Sequence, residues 1–460
     1  MLHVVLPEKI VSKAGVPGVR ASKPIISENK VYPARFENRQ PYLQIDWVGA
    51  FTAAAGATIY DGGAWPDKWQ GPPWAFFVHE PTVWLTHQEF VSQQGVSYQG
   101  KREPGREQSH FIASTDYWFK PIHSRVGPDG ALYLVDFYNQ IAVHNDTRGP
   151  AHGAHNAATR PDRDHHFTRL WRIQHKQKLA LPAFDLNPKN PARLVEMLDH
   201  PNGWVRATAN RLLSEGAGKS VVEKLSAEAA QGRTAYGRML ALWTLANLGE
   251  IGEDQLESSI RDQDPVVRKN ALWLAAGLDN SGRQPELDMV RALFADSDQR
   301  VRIAALVAGT TLTPNSDLAT ALVEAWPSFQ NPYLEAAALA ITAKDPLLFL
   351  NAALEAKSQA GLAGFITQLA RQAAGQNDPA AARAVVLAVA NAPGDASLKT
   401  VALQALAANL KGDAKPNADS ALGDALKKLL GSDQTAGAVL PLIARWGFLD
   451  QLGDATKAAV

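Results

Sequence analysis

Hydrophobic and polar residues follow two different rhythms along this chain. Up to about residue 177 they alternate in short runs, the period of a strand with one face buried. Ala57-Thr58-Ile59-Tyr60, Trp74 to His79, Thr82 to His87 and a return from Gly95-Val96-Ser97-Tyr98 read as four strands. A second set follows. Pro121 to Val126 and Leu132 to Asp136 flank Pro128-Asp129-Gly130, where proline sets φ and glycine is free to take a positive φ. Within it Leu132, Leu134 and Asp136 share one side, and Tyr133 and Val135 the other. Gln140 to Val143 can resume a strand, and Thr168 to Ile173 alternates again and closes the set. Two four-stranded units with turns between them suggest propeller blades over a sandwich.

Beyond Lys178 the apolar spacing changes to three and four. Val301, Ala304, Ala305 and Ala308 make one helical stripe. The pattern repeats: Asn202-Gly203-Trp204-Val205-Arg206, Asp264-Pro265-Val266-Val267-Arg268 and Asp298-Gln299-Arg300-Val301-Arg302 share a phase that Arg238 also keeps. Asn331-Pro332-Tyr333-Leu334-Glu335 continues it with glutamate in the arginine position. Asp or Asn caps each helix, and Pro265 and Pro332 suit the first turn, where no N–H is needed. A helix pair per repeat cannot bury its own apolar face, so neighbours must stack. The expected organisation is an irregular segment at 1–46, blades at 47–177, a linker at 178–190, repeats at 191–345 and further helical solenoid at 346–460.

Hydrophobic residues make up 46% of the chain and charged residues 20%, which fits folded domains, and 460 residues exceed one ordinary core. Lys+Arg and Asp+Glu both number 46, so no positive excess points to nucleic acid. No apolar run approaches the ~20 residues of a membrane helix. The absence of cysteine removes disulfides, thiolate metal sites, cysteine nucleophiles and covalent c-type haem. The start, Met1 to Glu8, does not read as a signal peptide. Neither a Gly-rich phosphate loop nor a Gly-x-Ser-x-Gly elbow nor a His-Glu-x-x-His motif occurs.

Several stretches resemble a known family. They are Ala57-Thr58-Ile59-Tyr60-Asp61-Gly62-Gly63-Ala64-Trp65-Pro66, Val78-His79-Glu80-Pro81, Phe111 to Pro121 and Val126 to Asn139. They are similar to the membrane-bound dehydrogenase-like proteins of planctomycetes and verrucomicrobia. There a propeller related to quinoprotein glucose/sorbosone dehydrogenases precedes HEAT repeats and often a haem domain. Arg206, Arg238, Arg268 and Arg302 likewise resemble the inter-repeat arginines of HEAT units, which makes them structural. The resemblance implies a multidomain β + α fold: a partial β-propeller of about two blades, then an α-α superhelix of HEAT-like repeats. Two blades are too few to close a ring. The chain therefore reads as a fragment, a split product, or one that takes its missing blades from another chain. The resemblance also implies an extracytoplasmic, periplasmic setting.

By that resemblance the activity is quinone-dependent oxidation of a sugar or alcohol, with pyrroloquinoline quinone (PQQ) and calcium as cofactors and electrons passed to a separate haem protein. The alternative is a non-catalytic scaffold whose solenoid holds a protein partner. For the enzyme, His123 and His144 are the candidate bases, and Arg125, Asp136 and Asn139 the candidate cofactor contacts. Each has a structural reading too. Asp136 ends a strand and can cap a turn, Asn139 can supply an Asx bond, and His144 can simply end a strand. His123 and Arg125 share a strand face, which either lines a channel or meets solvent. His152, His155, Asp162, Asp164, His165 and His166 form a polar loop that is either a divalent-metal site or solvated. His79-Glu80 is either an acid–base pair or a blade-to-blade hydrogen bond. Trp65, Trp69, Trp74 and Trp84 either stack a sugar or form core.

Overall fold

The computed structural model describes residues 2–34, 49–139, 166–277, 282, 285–411 and 415–453. Strands occupy the first part and helices the second, as the two rhythms predict. Two compact units emerge: residues 1–3 with 23–259, and residues 4–22 with 260–460.

In the first unit β3 (Ala55–Ile59), β4 (Trp74–Glu80), β5 (Leu85–Gln94) and β6 (Ser97–Lys101) form an antiparallel meander, with β7 (Ile112–Ala113) added on β5. A second sheet has the order β10-β9-β8, from β8 (Pro121–Val126), β9 (Leu132–Asp136) and β10 (Arg169–Ile173). The stretch Gln140 to Val143 lies outside the described residues. One strand differs from expectation: Pro81–Val83 is a single 3-10 turn, and β5 begins only at Leu85. Glu80 causes the break by accepting from Thr82 N–H, which ends the ladder before the alternation does. The tryptophans are mainly core. Tyr60 stacks on Trp65 at 4.1 Å, and Trp69, Phe77 and Leu132 complete the cluster.

The linker 178–190 is irregular and laid on the same unit, with Leu179 N–H donating to Ala64 O. The helices α2 (Pro191–Glu196), α3 (Gly203–Ser214), α4 (Val222–Gln231), α5 (Ala235–Leu248) and α6 (Glu253–Ser259) complete this unit. α3 is fixed to the sheets by Asn202, which caps the helix and donates to Gly127 O at 2.9 Å. The compact division therefore falls after Ser259, although composition changes near residue 178.

The second unit stacks helices in two layers. One holds α7 (Pro265–Ala275), α9 (Gln299–Gly309), α11 (Pro332–Thr342), α13 (Ala363–Gly375), α15 (Ala396–Asn409) and α17 (Asp433–Trp446). The other holds α8 (Leu287–Ala292), α10 (Ser316–Ala325), α12 (Pro346–Glu355), α14 (Pro379–Asn391) and α16 (Ser420–Leu430), and α18 (Leu449–Leu452) follows. No single helix among the described residues is long and apolar enough to cross a membrane.

The repeat arginines explain the phase seen in the sequence. Arg206, Arg238, Arg268 and Arg302 each donate to the carbonyl six residues before: His200, Gly232, Asp262 and Asp296. Each thus ties its helix to the turn that enters it, where carbonyls lack intrahelical partners. Arg268 also clamps Asp296 with two bonds of 2.8 Å, joining one repeat to the next.

The irregular beginning expected over 1–46 is corrected in part. β1 (Leu2–Val4) pairs with β2 (Ser22–Pro24), and α1 (Glu8–Ala14) packs on α11 in the second unit. Leu6, Ile10 and Ala14, four residues apart, are buried there. That stripe is too short to show against Glu8, Lys9, Ser12 and Lys13.

Candidate functional site

The strand register of the second sheet decides which side chains share a face. His123, Val135 and Leu170 lie side by side, as do Arg125, Tyr133 and Arg172. The opposite face carries Ser124, Val126, Leu132, Leu134 and Asp136, all buried in the first unit. The outward face stays open: Arg125 is exposed and Leu170 is 66% exposed. Arg125 Nε donates to His123 Nε2 at 3.0 Å, which is its only polar partner among the described residues. Beside this face α3 raises Trp204, Ala207, Thr208 and Arg211, enclosing a groove of about 580 Å3. Arg172 is neutralised by Asp129, and Arg211 by Glu215.

Asp136 sits behind the sheet. Its carboxylate accepts from Lys120 N–H at 2.7 Å, Tyr138 N–H at 3.0 Å and Trp171 Nε1–H at 3.0 Å. Asn139 is also buried, and its backbone N–H donates to Trp118 O. These two residues therefore lie apart from Arg125. His144 lies outside the described residues, as do His152, His155, Asp162, Asp164 and His165. PQQ requires cations on its carboxylates together with a base, and calcium requires several free oxygens. The expected contacts do not converge: Arg125 faces outward, while the Asp136 oxygens are spent on internal donors. Among the described residues no group of three His, Cys, Asp or Glu side chains is placed to hold a metal.

Three buried polar arrangements are invisible, or only half visible, in the sequence pattern. His79 bridges the sheets, with Nδ1 against Thr86 Oγ1 and Nε2 against Ser124 Oγ, each at 3.0 Å. Burial, with His123 nearby, lowers its pKa to about 4. Glu80 points the other way and accepts from Thr52 and Ala53 N–H, so the two are no acid–base pair.

The second is a relay whose tautomers follow from one donor. Tyr32 N–H donates to His110 Nε2 at 2.8 Å, so the His110 proton is on Nδ1. That proton points at His87 Nδ1, 3.1 Å away, which leaves the His87 proton on Nε2, 3.1 Å from Glu89. Ser27 closes the chain by donating to Glu89 from Oγ at 2.6 Å. Burial, His87 and Arg102 hold the His110 pKa down to about 3. Burial alone would raise Glu89, but bonds from His87 and Ser27 outweigh it and leave the carboxyl below its usual range. Gly100 is required beside it, because a Cβ there would meet Glu89 Oε2 at 2.0 Å.

The third is Lys120, 2% exposed, with its ammonium directed at Tyr117 O and 5.3 Å from the Trp84 ring. Burial brings its pKa down to about 7, partly offset by Asp116 and Asp136. No spacing could reveal these groups, since their partners lie up to 78 residues apart.

Comparison with known proteins adds one partial match. Residues 1–177 match the model of a domain of unknown function, DUF7133. No curated protein matches the chain. Among solved structures, Kap121p bound to Pho4p is 13% identical with a TM-score of 0.28, covering 58% of this chain and 35% of its own. Kap121p alone is 13% identical with a TM-score of 0.25, covering 58% and 38%. The chain thus spans little more than a third of the length of these structures, and likeness at this level carries no argument about fold or function.

Proposed function

We propose that the protein is a non-catalytic binding scaffold in which propeller-type blades are fused to an α-α superhelix of HEAT-like repeats. The observation that carries this reading is the state of Asp136. A carboxylate that accepts three internal hydrogen bonds is a structural cap. His79, Glu80 and the His87–His110–Glu89 relay are spent in the same way, on joining sheets and holding loops. What remains available is surface: the open face of the second sheet and the two-layered helical stack. Stacked repeats present long continuous faces to protein partners, and an extracytoplasmic setting follows from the family resemblance.

The quinone-dependent reading keeps one supporting observation, the outward His123–Arg125 pair. An assay separates the two. The full chain, incubated with PQQ and calcium chloride and offered a panel of sugars and alcohols, is expected to leave an artificial electron acceptor unreduced. Sustained dye reduction that His123→Gln abolishes would overturn the scaffold reading.

A further inference from the structure

The groove beside α3 has the composition of a recognition surface. Trp, Tyr and Arg dominate the energetics of protein interfaces, since each offers large contact area with a polar handle. Here Trp204, 37% exposed, on α3 lines the groove together with Tyr133, the still more exposed Leu170, Val126 and Pro128. Phe184 braces Trp204 edge-on at 6.3 Å.

Charge gives this surface a sign. Arg211 in the groove and Arg172 on the adjoining strand have carboxylate partners, whereas Arg125 has none among the described residues. Asp129 and Glu215, the acids beside it, are those partners. An incoming carboxylate thus meets one uncompensated guanidinium, capable of a two-pronged bond, beside an apolar wall. A cationic ligand would face it unshielded.

We propose that this groove binds an extended acidic segment of a partner protein, one that sets a carboxylate on Arg125 and a neighbouring bulky apolar side chain between Trp204 and Leu170. The inference rests on the scaffold reading and names the partner's chemistry. A volume of about 580 Å3 suits a few residues of extended chain.

The test uses the full chain and a short fluorescein-labelled peptide alternating Leu and Asp, followed by fluorescence anisotropy. Saturable binding that weakens with salt is expected. The peptide with Asn for Asp should bind at least roughly tenfold more weakly, and Arg125→Gln and Trp204→Ala should each cause a similar loss. Arg193→Gln, on α2 and outside the groove lining, should change nothing. Equal binding of the Asn peptide, undiminished binding by Arg125→Gln, or no saturable binding of the Asp peptide would each overturn the proposal. Those results leave the scaffold reading standing, because that reading fails on quinone-dependent turnover or on an Asp136 carboxylate not committed to the fold, neither of which peptide binding measures.

Discussion

His110 shows how a single proton position can hold a loop. Its Nε2 takes the Tyr32 N–H only while the ring is neutral, and its Nδ1–H sets the tautomer of His87 and hence the bond to Glu89. The folded pKa of about 3 lies below the unfolded value of about 6.5. Between those values the unfolded chain binds the extra proton, so stability is complete above about pH 6.5 and falls as pH drops towards 3. His79, with a folded pKa of about 4, acts in the same direction. Melting temperatures measured from pH 7.5 to 4 should therefore decline, and the decline should be shallower in His110→Gln. A wild-type melting temperature that is flat across this range would show that the relay is not buried as described.

One repeated residue ties helices to the turns that enter them, and at Arg268 also joins one repeat to the next. Arginine at the repeat position reaches back six residues to a carbonyl, behind Asn or Asp caps at α3, α7 and α9 and a Thr234 cap at α5. At α11 the position holds Glu335, which cannot donate and has no side-chain partner among the described residues. Burial pushes its carboxyl up. Glu335→Arg places a donor within the geometry its equivalents use, facing the carbonyl of Phe329. A gain of about 1–2 kcal/mol is expected, read as a rise in the melting temperature of the second unit. An unchanged or lower value would mean that the ladder adds nothing at this position. The repeat is legible in the amino-acid sequence because each unit restates its own cap and arginine. α1 is not, since what makes it a helix is α11, more than 300 residues away along the chain.

At the scale of the molecule, the period of the hydrophobic pattern tells strands from helices along most of the chain. It also places His123 and Arg125 on one strand face, as the register bears out. It does not tell which face is covered, because that depends on how the two sheets and α3 meet. Ser124 turns inward to His79, so its neighbours His123 and Arg125 turn out. Asp136 lies on the covered side for the same reason, and there its polar capacity goes to Lys120, Tyr138 and Trp171. The scaffold reading stands on that residue. Asn at position 136 keeps the size but turns one acceptor into a donor facing donors, at a cost of about 2–3 kcal/mol. Equilibrium urea unfolding of Asp136→Asn with no ligand present, followed by the near-ultraviolet signal of the aromatic first unit, measures this directly. A clear drop in the unfolding midpoint is expected. A midpoint equal to wild type would mean that the carboxylate is not committed to the fold and is free to hold a cofactor.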